Sequence, residues 1–261
     1  MRSPYRFTLA ALVAATLLFP GGASAAPGIN LAWNHCLGEG TGVQNAAFAC
    51  DTNTGSHTLV GSFRLGSDMA IVIGDEVVIQ LASASPVLPS WWQYYTTGSC
   101  RLASLSASFV QNPLDVVCVD WSQGQAVGGL FYCTSNLICA DYPPSPNSAR
   151  LKVISAVPQQ AAQQLQGGVE YFSFNVTIDH AKTVGTGACE GCSIPVCLVL
   201  NSIEVVDRTN HSRKLTTPTA PGSNFVTWQG GGVPIVGGAS GCPAATAAHR
   251  STWGDVKTLY R

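Results

Sequence analysis

The chain has 261 residues, of which 46% are hydrophobic and only 10% charged, with 27 glycines and 10 cysteines. A formal charge of −1 and a sequence pI near 6.5 leave no basic footprint for gripping phosphates, which argues against nucleic-acid binding. So few charged side chains exclude a coiled coil, and a mean hydropathy of +0.21 excludes a disordered tail.

The first predicted element is a secretory signal over residues 1–25. Arg2 and Arg6 precede an apolar run from Phe7 to Phe19, and the small-residue site Ala23-Ser24-Ala25 follows. The apolar run is shorter than the ~20 residues a membrane span needs, so cleavage is favoured over an uncleaved anchor. The first cysteine is Cys36, so no lipid anchor on an N-terminal cysteine is indicated. Residues 26–261 are expected to form a single exported domain, with no membrane association after signal cleavage.

Beyond the signal, the hydrophobic period is mostly two. Residues 169–178 are the clearest case, with Phe172, Phe174, Val176 and Ile178 pointing one way and Tyr171, Ser173, Asn175 and Thr177 the other. Residues 29–33, 59–63, 76–81, 151–157, 198–206 and 224–228 also read as strands, bounded by turn formers. Short strands without intervening amphipathic helices predict an all-β fold, a single antiparallel β-sandwich of two packed sheets. Residues 158–166 have good helix composition, although a polar loop fits there too. At the end of the chain Thr252-Trp253-Gly254-Asp255 resembles a capping box, which predicts a short C-terminal helix.

Export changes how the cysteines are read. In an oxidising compartment Cys36, Cys50, Cys100, Cys118, Cys133, Cys139, Cys189, Cys192, Cys197 and Cys242 are most simply five disulfides. Spacing alone suggests neighbour pairing: Cys36 with Cys50, Cys100 with Cys118, Cys133 with Cys139, and the last four among themselves. Cys189-x-x-Cys192-x4-Cys197 with His180 upstream also has zinc-ligand types, but it is half of a paired-knuckle signature. Disulfides are preferred, and neither metal nor cofactor is indicated.

Several blocks carry a resemblance. They are Gly28-Ile29-Asn30-Leu31-Ala32-Trp33-Asn34-His35-Cys36, residues 183–192 (TVGTGACEGC), residues 195–203 (PVCLVLNSI) and the closing residues 252–261 (TWGDVKTLYR). Together they resemble the landmarks of secreted bacterial all-β proteins of unassigned function. That resemblance implies a bacterial source and a disulfide-bearing all-β domain, and it supplies no catalytic residue.

The search for catalytic motifs is negative. There is no nucleophile elbow, no H-E-x-x-H, no P-loop and no dinucleotide fingerprint. His35, His57, His180, His211 and His249 are scattered, and Asp75, Glu76, Asp115 and Asp120 lie near strand ends without a spacing that selects them. Asp51-Thr52-Asn53-Thr54-Gly55 matches a calcium loop only in part, and a plain turn is preferred.

The most suggestive feature is aromatic. In Trp91-Trp92-Gln93-Tyr94-Tyr95, an extended strand places Trp91 and Tyr95 on one face and Trp92 and Tyr94 on the other. One pair then fills the core, and the second offers a flat surface for stacking on sugars. The alternative is a short helix capping the end of the sandwich, with both pairs buried. The functional expectation is an exported binding or structural protein, taking an extracellular polysaccharide or cell-surface component through Trp91, Trp92, Tyr94 and Tyr95. An extracellular hydrolase acting on glycans is the alternative.

Overall fold

The structure is a computed structural model that describes residues 26–38, 42–95, 98–115, 117–134 and 145–230. The signal over residues 1–25, the C-terminal helix, Cys139, Cys242 and His249 lie outside the described residues. In chain order the strands are β1 (Gly28–Trp33), β2 (Asn45–Ala46), β3 (Ser56–Arg64), β4 (Met69–Ser83), β5 (Leu105–Ser108), β6 (Val119–Asp120) and β7 (Val127–Cys133). They continue as β8 (Ser148–Ala156), β9 (Gln163–Leu165), β10 (Glu170–Asp179), β11 (Val196–Asp207), β12 (Ser212–Leu215) and β13 (Phe225–Trp228).

These strands form two sheets packed as a sandwich. The smaller runs β1-β3-β10-β5, with β6 also on β10. The larger runs β2-β13-β11-β4-β8-β7, with β12 on β11 and β9 on β4. All pairs are antiparallel except the short β6/β10 and β2/β13 contacts. The long β4/β11 ladder pairs Ile79 with Leu200 and Val77 with Ile203, and all four are fully buried. Alternating β-branched and aliphatic residues put one face of each strand into the shared core.

The pattern in β10 breaks at one residue. A β-bulge lies between Phe172 and Phe174 in the pairing with β3, and an extra residue in one strand resets which side chains face inward. Tyr171, Phe174, Val176 and Ile178 join the main core, while Phe172 packs with Cys36, Val60 and Cys118 in a separate cluster. The single apolar face expected from Phe172 to Ile178 is therefore split in two. Gly61 makes room opposite the bulge: a Cβ there would lie 2.0 Å from the Phe174 ring.

Residues 158–166 form no α-helix. Gln159–Ala161 is one 3-10 turn, after which β9 pairs Leu165 with Met69 of β4. Burial of Leu165 to 1% exposure and a place on the sheet edge override local helix preference.

The disulfides join distant segments. Cys36 bonds Cys118, Cys50 bonds Cys192 and Cys100 bonds Cys189, across 82, 142 and 89 residues. Neighbour pairing of Cys36 with Cys50 and of Cys100 with Cys118 is thus incorrect, and so is pairing of Cys189, Cys192, Cys197 and Cys242 among themselves, since Cys189 and Cys192 bond Cys100 and Cys50. Antiparallel strands return the chain past itself, so the nearest cysteine in space is seldom the next in sequence. Cys133 and Cys197 are disulfide-bonded as well. Such bonds belong to an oxidising, extracytoplasmic setting, and no helix among the described residues is long and apolar enough to cross a membrane.

Candidate functional site

The aromatic segment adopts the capping geometry. Ser90–Trp92 is a 3-10 turn, and Trp91, Trp92 and Tyr94 are 0%, 0% and 1% exposed, whereas Tyr95 is 46% exposed. The ring pair expected from an extended strand, Trp92 with Tyr94, therefore does not form a surface. Hydrogen bonds hold the segment inside: Trp91 N–H donates to the Glu190 carbonyl at 2.9 Å, Trp91 Nε1 to Thr183 Oγ1 at 3.0 Å, and the Tyr132 hydroxyl to the Trp92 carbonyl. The Arg101 guanidinium lies 3.5 Å from the Trp91 ring centroid. Arg101 is itself buried, and donates to the carbonyls of Trp91, Asp179 and Ala181. Gly191, at φ +110°, lets the loop pass Pro89, because a Cβ there would meet the Pro89 Cβ at 2.2 Å.

Trp91 and Trp92 pack on Trp228, with ring centroids at 5.0 and 5.3 Å. Trp228 in turn touches Phe48 at 4.4 Å, His57 at 5.4 Å and His180 at 6.0 Å. Phe48, His57 and His180, the outer members of this cluster, line a cavity of about 340 Å³ together with Ala47, Thr52 and Ser56, among others.

The sheet register explains how two histidines 123 positions apart come together. On the β3/β10 ladder His57 pairs with Ile178, and His180 follows two residues later on the same face. The His180 amide extends the ladder by donating to the Gly55 carbonyl at 3.0 Å. Gly55 sits at φ +97°, a left-handed turn conformation that glycine adopts without strain. The two imidazole centroids are 4.9 Å apart, and His57 stacks on Phe48 at 3.7 Å.

The walls are fixed. Asn53 exchanges two hydrogen bonds with the Val184 backbone, at 3.0 and 2.9 Å. The Gln229 side chain accepts from Phe48 N–H at 3.1 Å and donates to the Phe48 carbonyl at 2.8 Å, and Cys50–Cys192 ties the same loops. Within this frame His180 is 3% exposed, and neither ring nitrogen has a hydrogen-bond partner in the protein. Leaving a buried polar atom unpaired costs about 1–3 kcal/mol, so the fold tolerates a defect here. Burial, then repulsion from Arg101, lowers the His180 pKa, against a hydrogen-bonding pull from the Thr52 backbone, which lies nearby without reaching hydrogen-bond geometry, and against the charges of Asp179 and Asp51. Burial and then His180 lower His57 to about 4. Both shifts favour the neutral imidazole.

The other candidates are occupied by structural roles. Asp75 accepts from Ser155 and Ser173, Glu76 pairs with Lys152 at 2.8 Å, Asp115 accepts from the Cys36 amide, and Asp120 accepts from the amides of Ser122 and Gly124. Cys189, Cys192 and Cys197 are consumed by disulfides, which removes the zinc-knuckle ligands. Cys36, Cys118 and Asp115 cluster, but both thiols are bonded to each other. In the Asp51–Gly55 turn, Thr52 Oγ1 accepts from Thr54 N–H at 3.1 Å. His35 lines another cleft with Asn34, Asn112 and Asn175, and a third lies near Leu88 and Gln93; neither contains a buried side chain lacking a partner. Sequence reasoning missed Phe48 and the His57 contact entirely, and only the strand register reveals them.

No protein-family model matches the chain, and no curated protein does. Among solved structures, a non-cellulosomal cohesin from the hyperthermophilic archaeon Archaeoglobus fulgidus is similar over 71% of this chain and 86% of that one. The identity is 13% and the TM-score 0.28.

Proposed function

We propose that this chain is an exported binding or structural module of the cell exterior, and that it binds through the cavity walled by Phe48, His57 and His180. The observation that carries the reading is His180: a buried side chain with both nitrogens unpaired, lining an open cavity. Large pre-formed cavities with a few placed polar groups are the usual form of a ligand site. Thr52, Thr54 and Ser56 also line the cavity, and hydroxyl-bearing side chains suit a hydroxyl-rich ligand, which makes extracellular polysaccharide the first cell-surface component to test. The structural work done by Asp75, Glu76, Asp115 and Asp120 gives the hydrolase alternative no corresponding support.

The test is retention of the purified protein on cell-wall fractions and insoluble polysaccharides. Filling the cavity with Ala49→Trp is expected to reduce retention at least tenfold while far-UV circular dichroism stays unchanged. Equal retention of the filled variant would remove the cavity from the reading, and no retention of the unaltered protein on any fraction would remove binding.

A further inference from the structure

The two imidazoles that wall the cavity have a geometry in search of a shared occupant. A metal ion held tetrahedrally by two imidazole nitrogens at about 2.0–2.1 Å places the ring centroids roughly 5 Å apart. The His57 and His180 centroids lie 4.9 Å apart, with ring planes inclined at 59°. No hydrogen bond joins the two rings, and both His180 nitrogens lack partners. The stack of His57 on Phe48 uses the face of that ring and not its in-plane nitrogens.

We propose that His57 and His180 form a binding site for one borderline divalent transition-metal ion of the Zn²⁺ or Cu²⁺ class. This deepens the reading of the cavity as the binding site and rests on it. The choice of ion follows from the lining, which offers imidazoles and hydroxyls and no carboxylate. Nitrogen donors suit Zn²⁺ and Cu²⁺, whereas Ca²⁺ and Mg²⁺ need several hard oxygens. Two protein ligands leave two coordination positions for water or a donor atom of the bound partner. The clamps from Asn53, Gln229 and Cys50–Cys192 keep the rings in register before the ion arrives, so little ordering is left to binding.

Trp228 reports on the site, since its ring lies 5.4 Å from His57 and 6.0 Å from His180. The experiment is tryptophan fluorescence during titration of the full chain with Cu²⁺, followed by removal of the ion with EDTA and by calorimetry with Zn²⁺ alone. The expected result is saturable quenching at one ion per chain, reversed by EDTA and not produced by Ca²⁺, with Zn²⁺ binding at the same stoichiometry and more weakly than Cu²⁺. His57→Gln and His180→Gln should each weaken binding at least tenfold, and His35→Ala, His211→Ala and His249→Ala should not. His57→Gln is the decisive variant, because His57 is only half-buried and its replacement leaves the core intact. Unsaturable quenching, or equal affinity in His57→Gln, would overturn the metal site. Should that happen while Ala49→Trp still abolishes retention on the cell-wall fraction, the cavity remains a binding site and this proposal alone falls.

Discussion

Asp75 and His180 are both interior titratable side chains, at 1% and 3% exposure, yet the fold treats them in opposite ways. Asp75 projects from β4 between the sheets, and its two oxygens accept from Ser155 of the same sheet and Ser173 of the other. The bulge in β10 turns Ser173 inward for this contact. His180 stands at the end of the sandwich with neither nitrogen served. A buried polar group with all its partners reads as architecture. One without them, facing a cavity, reads as a place kept for something else.

The largest expected effect breaks the aromatic cluster beside His180. Trp228 is fully buried and its indole N–H donates to the Cys192 carbonyl at 2.7 Å. Trp228→Ala should cost about 3–5 kcal/mol in urea denaturation, and a loss below about 1 kcal/mol would show that the aromatic cluster carries little stability.

Asp75 should sharpen the contrast through pH. Burial raises its carboxyl from 3.8 to about 6, against the hydrogen bonds from Ser155 and Ser173. Between about pH 6 and pH 4 the folded chain therefore binds more protons than the unfolded one. Its contribution to stability rises as pH falls through that window, by about 3 kcal/mol at most. Asp75→Asn should abolish this rise, and an identical pH profile would contradict the assignment.

His57 works in the opposite direction. Its pKa is lowered from 6.5 to about 4, so the unfolded chain takes the proton first, and the contribution present above pH 6.5 is lost as pH falls towards 4. In chelator-containing buffer His57→Gln should flatten the acid side of the stability profile. An unchanged profile would place its titration elsewhere.

The smallest effect is the most diagnostic. His180→Phe keeps a ring against Trp228 and removes two unpaired nitrogens, so it should be neutral or stabilising by about 1 kcal/mol while cavity-dependent binding is lost. A destabilisation of several kcal/mol by thermal melting would mean that the ring nitrogens serve the fold.

Much of the sandwich was readable in the residues. The runs at 29–33, 59–63 and 198–206 each fall inside an observed strand, because short β-branched and aliphatic runs bounded by turn formers suit strands buried on both faces, as these three are. The helix composition of 158–166 failed because Leu165 had a sheet edge to join. The aromatic run 91–95 was legible as aromatic, but not as interior: Arg101, Thr183 and Glu190, which hold it there, are remote in sequence or carry no motif.

The sequence by itself determined an all-β chain rich in cysteine and poor in charge, since alternation and composition are local properties. Tertiary structure decided which cysteines meet, which way Phe172 faces, that Trp91, Trp92 and Tyr94 are interior, and that His57 and His180 share one cavity. Each of these depends on strand register, where a shift of one residue turns every side chain to the other face.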